Sequence, residues 1–316
     1  MLDFQRLLLG DQIRNDAFAK ALKHVIVPGK TVVADIGSGT GYLSFLAEKF
    51  GAKECHLFEM SPAMDLSKTL AKRNDIKNCR FHFEHSTAVK KPPQADVVVS
   101  ETLGNWAYEE NIIETLNDAR RFLKKDGVMI PQSIRCFVAP VIAPRLYDEL
   151  NAWDRVGYDL DFSDAKKLSM NNMYVKDIVP EDLLPSPPQG GGAGGGGLEW
   201  DRVDLTNQNS SIREKTVEWT PQKPLTLYGF ACWWEATLIK GITLSTSPAQ
   251  PSTHWKQIYL PLVDPLPIRP SDSIHLHLRS DSRYEIKINV EWETSIVDGN
   301  GKILKKTDQD MRRGYN

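Results

Sequence analysis

The sequence predicts an α/β protein built in two parts. A parallel sheet wound with helices comes first, and antiparallel strands forming a sandwich or barrel follow. Three observations predict it. A β-branched run at 31–35, TVVAD, leads into the glycine-rich DIGSGTG and then a helical stretch. The run ADVVVS at 95–100 is apolar throughout, as a strand covered on both faces must be. Beyond about residue 133, short stretches with a period of two replace the helix–strand alternation.

The elements follow in order. After the strand at 31–35, the spacing predicts a helix over 42–50, a strand over 55–59, a helix over 63–74 and a strand over 79–83. The strand at 95–100 is next. A helix over 111–122 carries Ile112, Ile113, Leu116, Ala119 and Phe122 on one face, with Gly127 as its stop. Strands alternating with helices imply parallel pairing through right-handed crossovers. In the second half, Ile274, Leu276 and Leu278 alternate with polar residues. Tyr284, Ile286, Ile288, Val290 and Trp292 do the same, and both read as half-buried antiparallel strands. A helical interruption at 144–176 separates the first strand of this half from the rest. The run SPPQGGGAGGGG at 186–197 is too glycine-dense to order cheaply and reads as a flexible surface loop inside the second part.

Composition narrows the class. The 316 residues suit two domains, divided here at 1–132 and 133–316. Lys plus Arg is 39 against 41 Asp plus Glu, a net charge of −2, which argues against nucleic acid as the main partner. It leaves room for a locally acidic groove that takes a basic peptide. The four cysteines, Cys55, Cys79, Cys136 and Cys232, lie far apart with no CxxC pair, so buried reduced thiols are expected rather than zinc or disulfides. No 18-residue apolar run exists, and the start, MLDFQRLLLGDQIRND, lacks the pattern of a secretion signal. A cytoplasmic enzyme is expected.

Asp35, Gly37, Gly39 and Gly41 lie in the glycine turn between strand and helix. Glycines there permit a tight turn and close approach of backbone to ligand. The spacing is GxGxG, unlike the dinucleotide fingerprint GxGxxG. Asp35 would repel a phosphate and suits a cationic or neutral ligand. Glu59, at the end of the second strand, can accept both hydroxyls of a ribose. Glycine turn, preceding acid and following acid describe S-adenosylmethionine better than a nicotinamide dinucleotide.

Residues 100–120, SETLGNWAYEENIIETLNDAR, place Glu101 and Glu110 on either side of a short loop with glycine and aromatic residues. Two acids turned toward one point make a socket for a planar cation. Trp106 and Tyr108 read as packing or channel walls, and His82 and His85 as features of a strand end, not metal ligands.

With these motifs in hand, the chain resembles the protein arginine N-methyltransferase family. DIGSGTG is similar to that family's cofactor motif, 100–120 to its two-glutamate loop, and STHWKQ at 252–257 to its Thr-His-Trp loop. The likeness runs from about Gly10 to the C-terminus. It implies a Rossmann-like parallel-sheet methyltransferase domain followed by an antiparallel β-barrel, with a helical arm at 144–176 that makes a homodimer. It implies S-adenosylmethionine as cofactor and an arginine in a protein or peptide as acceptor, and the charge balance and lack of an apolar run add the expectation of no membrane and no direct nucleic-acid contact. By resemblance, Arg14 would bind the methionine carboxylate, Asp35, Gly37, Gly39 and Gly41 would line the cofactor, Glu59 would hold the ribose and Thr87 would lie near the adenine. Glu101 and Glu110 would clamp the guanidinium. His254 would pair with Asp11, three residues before Arg14 on the same helical face.

The sequence also departs from the family. The helix that usually carries cofactor- and substrate-facing tyrosines has no counterpart before Gly10. Thr102 replaces an aromatic and Ile112 a methionine. Two other functions therefore stand beside the first. One is the same transfer to a small guanidine, an amine or another non-arginine acceptor. The other is a catalytically silent scaffold of the same fold.

Overall fold

The computed structural model describes residues 2–185 and 197–314. Of the glycine-rich run at 186–197, only Gly197 falls among them, so the expected flexible loop lies outside the described residues. The chain opens with α1 (Leu2–Gly10) and α2 (Gln12–Val25). It continues through β1 (Val32–Ile36), α3 (Tyr42–Lys49), β2 (Glu54–Phe58), α4 (Ala63–Arg73), β3 (Cys79–His82), β4 (Ala95–Val99), α5 (Ile112–Ala119) and β5 (Leu123–Ile130). These five strands form one parallel sheet in the order β3-β2-β1-β4-β5. β1 and β4 lie inside it, which is why both are almost wholly apolar and buried.

The antiparallel half begins with β6 (Ser133–Val141), followed by α6 (Arg145–Leu150), α7 (Ser163–Ser169) and β7 (Tyr174–Lys176). Then come β8 (Leu198–Asp204), β9 (Ile212–Trp219), β10 (Leu225–Ile239), β11 (Ile242–Ser245), β12 (Gln257–Ile268), β13 (Ser273–Asp281), β14 (Asn289–Val297) and β15 (Ile303–Asp310). One sheet runs β7-β12-β10-β6-β8 with β11 beside β10, and a second runs β15-β14-β13-β9. The two are tied by side chains as well as by packing: Trp292 Nε1 and Gln309 Nε2 both donate to the Pro261 carbonyl, at 3.0 and 2.6 Å. One hydrophobic core is continuous from the parallel sheet into the antiparallel half.

Several expectations are corrected. A helix does precede Gly10, although it carries no tyrosine. The helix expected over 111–122 ends at Ala119 and tightens to a 3-10 turn at Arg120–Phe122, because Leu123 must already pair with Ala95 as part of β5. Gly127 therefore sits inside that strand and stops no helix. The alternation at 284–288 is not a strand. Arg283 O accepts from the N–H groups of both Ile286 and Lys287, at 2.8 and 2.9 Å, and Lys287 adopts φ 65, so the chain turns there and pairing starts only at Asn289. The four cysteines are free thiols.

Candidate active site

The glycine turn after β1 needs its glycines for different reasons. Gly37, Gly39 and Gly41 have φ of 74, 52 and 84. At Gly41 a Cβ would also come within 2.4 Å of Ser67 Oγ and 2.7 Å of the Phe45 ring. Beside Gly39 lies the Gln5 side chain of α1, so this first helix covers the turn. Glu59, just after β2, holds the turn from the other side. Its carboxylate accepts from Gly39 N–H at 2.9 Å and from Ser61 N–H at 2.7 Å. Asp35 is buried and accepts from the Ser44 hydroxyl at 2.7 Å. Burial outweighs that bond and pushes its carboxyl up to about 7.

Arg14 rises from α2 to meet Glu101, two residues beyond β4. Its Nε donates to Glu101 Oε2 at 2.7 Å, and its terminal nitrogen contacts the same oxygen. The side chains are 7% and 5% exposed, so this is a buried ion pair. Asp11 caps α2 by accepting from Arg14 N–H at 2.9 Å. That is a correction: it sits at the helix's N-cap rather than on its face. The remaining Asp11 oxygen accepts from His254, through the backbone N–H at 2.7 Å and the ring Nδ1 at 2.8 Å. Burial works to raise Asp11, but these hydrogen bonds prevail and hold it below the usual carboxylate range. His254 Nε2 is buried and has no hydrogen-bond partner among the described residues.

Glu110 faces the same cavity as Glu101, and its carboxylate makes no hydrogen bond or ion pair among the described residues. Crowding by protein atoms, then repulsion from Glu101 and Glu109, push it up to about 8. Neighbouring Glu109 does a different job. Its Oε1 accepts from Asn105 N–H at 2.7 Å and folds the loop against Gly104, where a Cβ would meet Glu109 Cγ at 2.1 Å.

The antiparallel half fixes this acidic loop through indole donors. Trp255 Nε1 donates to Leu103 O at 2.6 Å, Trp234 Nε1 to Gly104 O at 2.9 Å and Trp106 Nε1 to Ser280 Oγ at 3.1 Å. Tyr108 is buried and donates to Asp201 at 2.7 Å, itself paired with Arg213. Trp106 and Tyr108 thus pack, as their aromatic character suggested.

Two adjoining cavities result, of about 180 and 160 Å³, which share Gly37, Glu59, Thr102 and Glu110. The first adds Arg14, Asp35, Gly39 and Glu101, and the second Glu84, His85, Ser86, Thr115 and Tyr284. Gly41, Thr87, Asp11 and His254 line neither. Gly41 is the N-cap of α3, and Thr87 bonds His85 at 2.7 Å through its hydroxyl, beside the cavity rather than in it. Sequence reasoning missed Gln5, Trp234 and Tyr284, because none carries a local motif, and it assigned no role to Glu109, which sits inside the two-glutamate stretch but braces the loop rather than facing the first cavity. A larger hollow of about 840 Å³ lies on the antiparallel half around Pro265 and Lys305 and shares no residue with these two. Volume does not locate the chemistry here; the convergence of acids does.

The residues present fit S-adenosylmethionine. Among the described residues Arg14 is the one Lys or Arg lining either cavity, against Asp35, Glu59, Glu84, Glu101 and Glu110. That donor set suits a ligand with one carboxylate and a positive centre, and disfavours a pyrophosphate. Ser38 Oγ in the first cavity and Ser86 Oγ in the second are buried and have no partner among the described residues, so a ligand's polar groups could satisfy both. Among the described residues, no cluster of His, Cys, Asp or Glu could hold a metal, and no helix is long and apolar enough to cross a membrane.

Fold and site thus define an S-adenosylmethionine-dependent methyltransferase, and comparison with known proteins agrees. Residues 28–179 match a methyltransferase domain family, and residues 133–305 match the PRMT5 oligomerisation domain. The chain is 30% identical over 307 residues to protein arginine N-methyltransferase 6 of Xenopus tropicalis, covering 88% of this chain and 87% of that one. It is 26% identical over 346 residues to PRMT10 of Arabidopsis thaliana, covering 96% and 88%. The solved structure of Arabidopsis thaliana protein arginine methyltransferase 10 superposes with a TM-score of 0.79 at 22% identity over 98% of each chain. The Trypanosoma brucei PRMT1 enzyme-prozyme heterotetrameric complex with AdoHcy does so with 0.81 at 21% over 97% and 96%. The chain belongs to the protein arginine N-methyltransferase family.

Proposed function

We propose that this enzyme methylates a guanidinium nitrogen of arginine in a protein or peptide, with Glu101 and Glu110 gripping the guanidinium between them. The observation that carries this reading is the pair itself. Two acids from one loop line one cavity with the glycine turn, near enough that Glu101 raises Glu110. S-adenosylmethionine, when bound, supplies an electrophilic methyl group on a sulfonium. The chain's residues do the rest. Arg14 meets the ligand's carboxylate, and Glu59 and the glycine turn hold its ribose. Glu101 and Glu110 fix the guanidinium plane and draw positive charge to the nitrogens they contact, which leaves the remaining nitrogen more nucleophilic. Such positioning is worth roughly 7–11 kcal/mol in the best intramolecular cases. A proton lost from the product passes to a glutamate of the cavity, and the His254–Asp11 pair, which lines neither cavity, would take it only through that glutamate or solvent.

Residues 1–132 then act as the cofactor domain and 133–316 as the substrate barrel. The 144–176 arm serves a homodimer, a reading supported by the match to an oligomerisation domain, and the enzyme works in the cytoplasm. The test is transfer of labelled methyl to arginine-rich peptides. Glu101→Gln and Glu110→Gln should each abolish most of it, and unchanged transfer in both would refute the grip.

A further inference from the structure

The second cavity is closed by a residue from the far half of the chain. Tyr284 belongs to the turn at 282–288 between β13 and β14, yet it lines this cavity together with Ser86 and Thr115. Its ring meets His85 edge-on at 5.7 Å and 81°, and its hydroxyl lies 3.4 Å from Thr115 Oγ1. The turn is anchored to the methyltransferase half at both ends. Asn111 Nδ2, at the start of α5, donates to Ser282 O and to Lys287 O, and Ser282 Oγ donates to Glu114 at 2.8 Å. Lys287 (φ 65) is held in a left-handed conformation that a lysine rarely adopts, while Asn111 (φ 58) is a residue type that accepts it.

The order of groups along the two cavities assigns this end. Arg14 and the acid pair occupy the first cavity, and Glu59 stands on the border. A ligand with its carboxylate at Arg14 and its ribose at Glu59 has only its base left for the second cavity. Tyr284 remains 43% exposed, so the ring forms an outer wall rather than a core side chain.

We infer that Tyr284 is a positioning residue that walls the adenine of S-adenosylmethionine, so that cofactor retention depends on the docking of the antiparallel half onto α5. The inference rests on the cofactor assignment above. Calorimetric titration with S-adenosylhomocysteine, and displacement titration with 5′-methylthioadenosine, which lacks the amino-acid end, test it. Tyr284→Ala should weaken both ligands by a similar factor, roughly tenfold for loss of one aromatic face against a base. Tyr284→Phe should stay close to the wild type, since the ring rather than the hydroxyl forms the wall. Unchanged affinity in Tyr284→Ala, or a loss confined to S-adenosylhomocysteine, would overturn the inference while leaving the cofactor in place. A wild-type chain that binds neither ligand would instead overturn the cofactor assignment.

Discussion

Raising the pH from about 7 to about 9 should strengthen binding of an arginine peptide, because Glu110 must give up a proton to hold a cation. Its carboxyl sits at about 8, lifted by crowding and by Glu101 and Glu109. With that value, roughly a tenth of the sites carry an ionised Glu110 at pH 7 and roughly nine-tenths at pH 9. Affinity for a guanidinium that needs the charge should therefore rise by about tenfold over this range, while the guanidinium itself stays protonated. Glu110 opens to the solvent of the cavity, and that screening makes tenfold an upper figure. The assay is calorimetry of peptide binding with S-adenosylhomocysteine saturating, repeated in two buffers of different ionisation enthalpy. Proton release near one per peptide at pH 7 should fall toward zero at pH 9. Asp35, at about 7, titrates in the same window. The variant Glu110→Gln separates them, since it should lose the pH slope and the proton release together. A flat wild-type profile, or an equal slope in Glu110→Gln, would refute the reasoning.

The same shift has a stability sign. A carboxyl raised from 4.5 to about 8 on folding costs stability progressively as pH rises through that interval, with the cost complete above about 8. Without ligand, Glu110→Gln should thus gain on the wild type in melting temperature as pH goes from 5 to 8, and a constant difference would contradict the shift. Breaking the buried Arg14–Glu101 pair by Glu101→Gln should destabilise by about 3–5 kcal/mol. Arg14→Met together with Glu101→Gln should recover part of this, so calorimetric melting of the four-member cycle should show strong coupling rather than additivity. Trp255→Phe removes the donor to Leu103 O and should lower methyl transfer several-fold by loosening the acidic loop, with S-adenosylhomocysteine affinity nearly unchanged in titration. Gly41→Ala should cost at least about 2 kcal/mol in unfolding, from a left-handed residue plus the collision with Ser67 and Phe45.

Four of the five parallel strands were legible nearly to the residue, and the fifth, β5, was not foreseen. β1 and β4 announce themselves as apolar runs, and the glycine turn follows from spacing alone. Where reading failed, a local pattern met a competing tertiary demand. Alternation at 284–288 looked like a strand, but those residues turn to reach Asn111 and the second cavity. The helix over 111–122 stopped early because β5 claimed Leu123. Thr87 was placed by family resemblance alone, and its neighbours Glu84, His85 and Ser86 line the cavity instead.

What the sequence determined by itself is the set of groups whose meaning is local: a glycine turn, an acid after a strand, two glutamates on one loop. Backbone conformation and residue type decide these within a few neighbours. What only the tertiary structure decided is which groups answer one another. Arg14 meets Glu101 across 87 residues, and Trp255 and Trp234 fix a loop more than a hundred residues earlier, while the His254–Asp11 pair across 243 was foreseen only through family resemblance and not from any local pattern. Such partnerships follow from the docking of two sheets through one continuous core, and no periodicity along the chain encodes that docking.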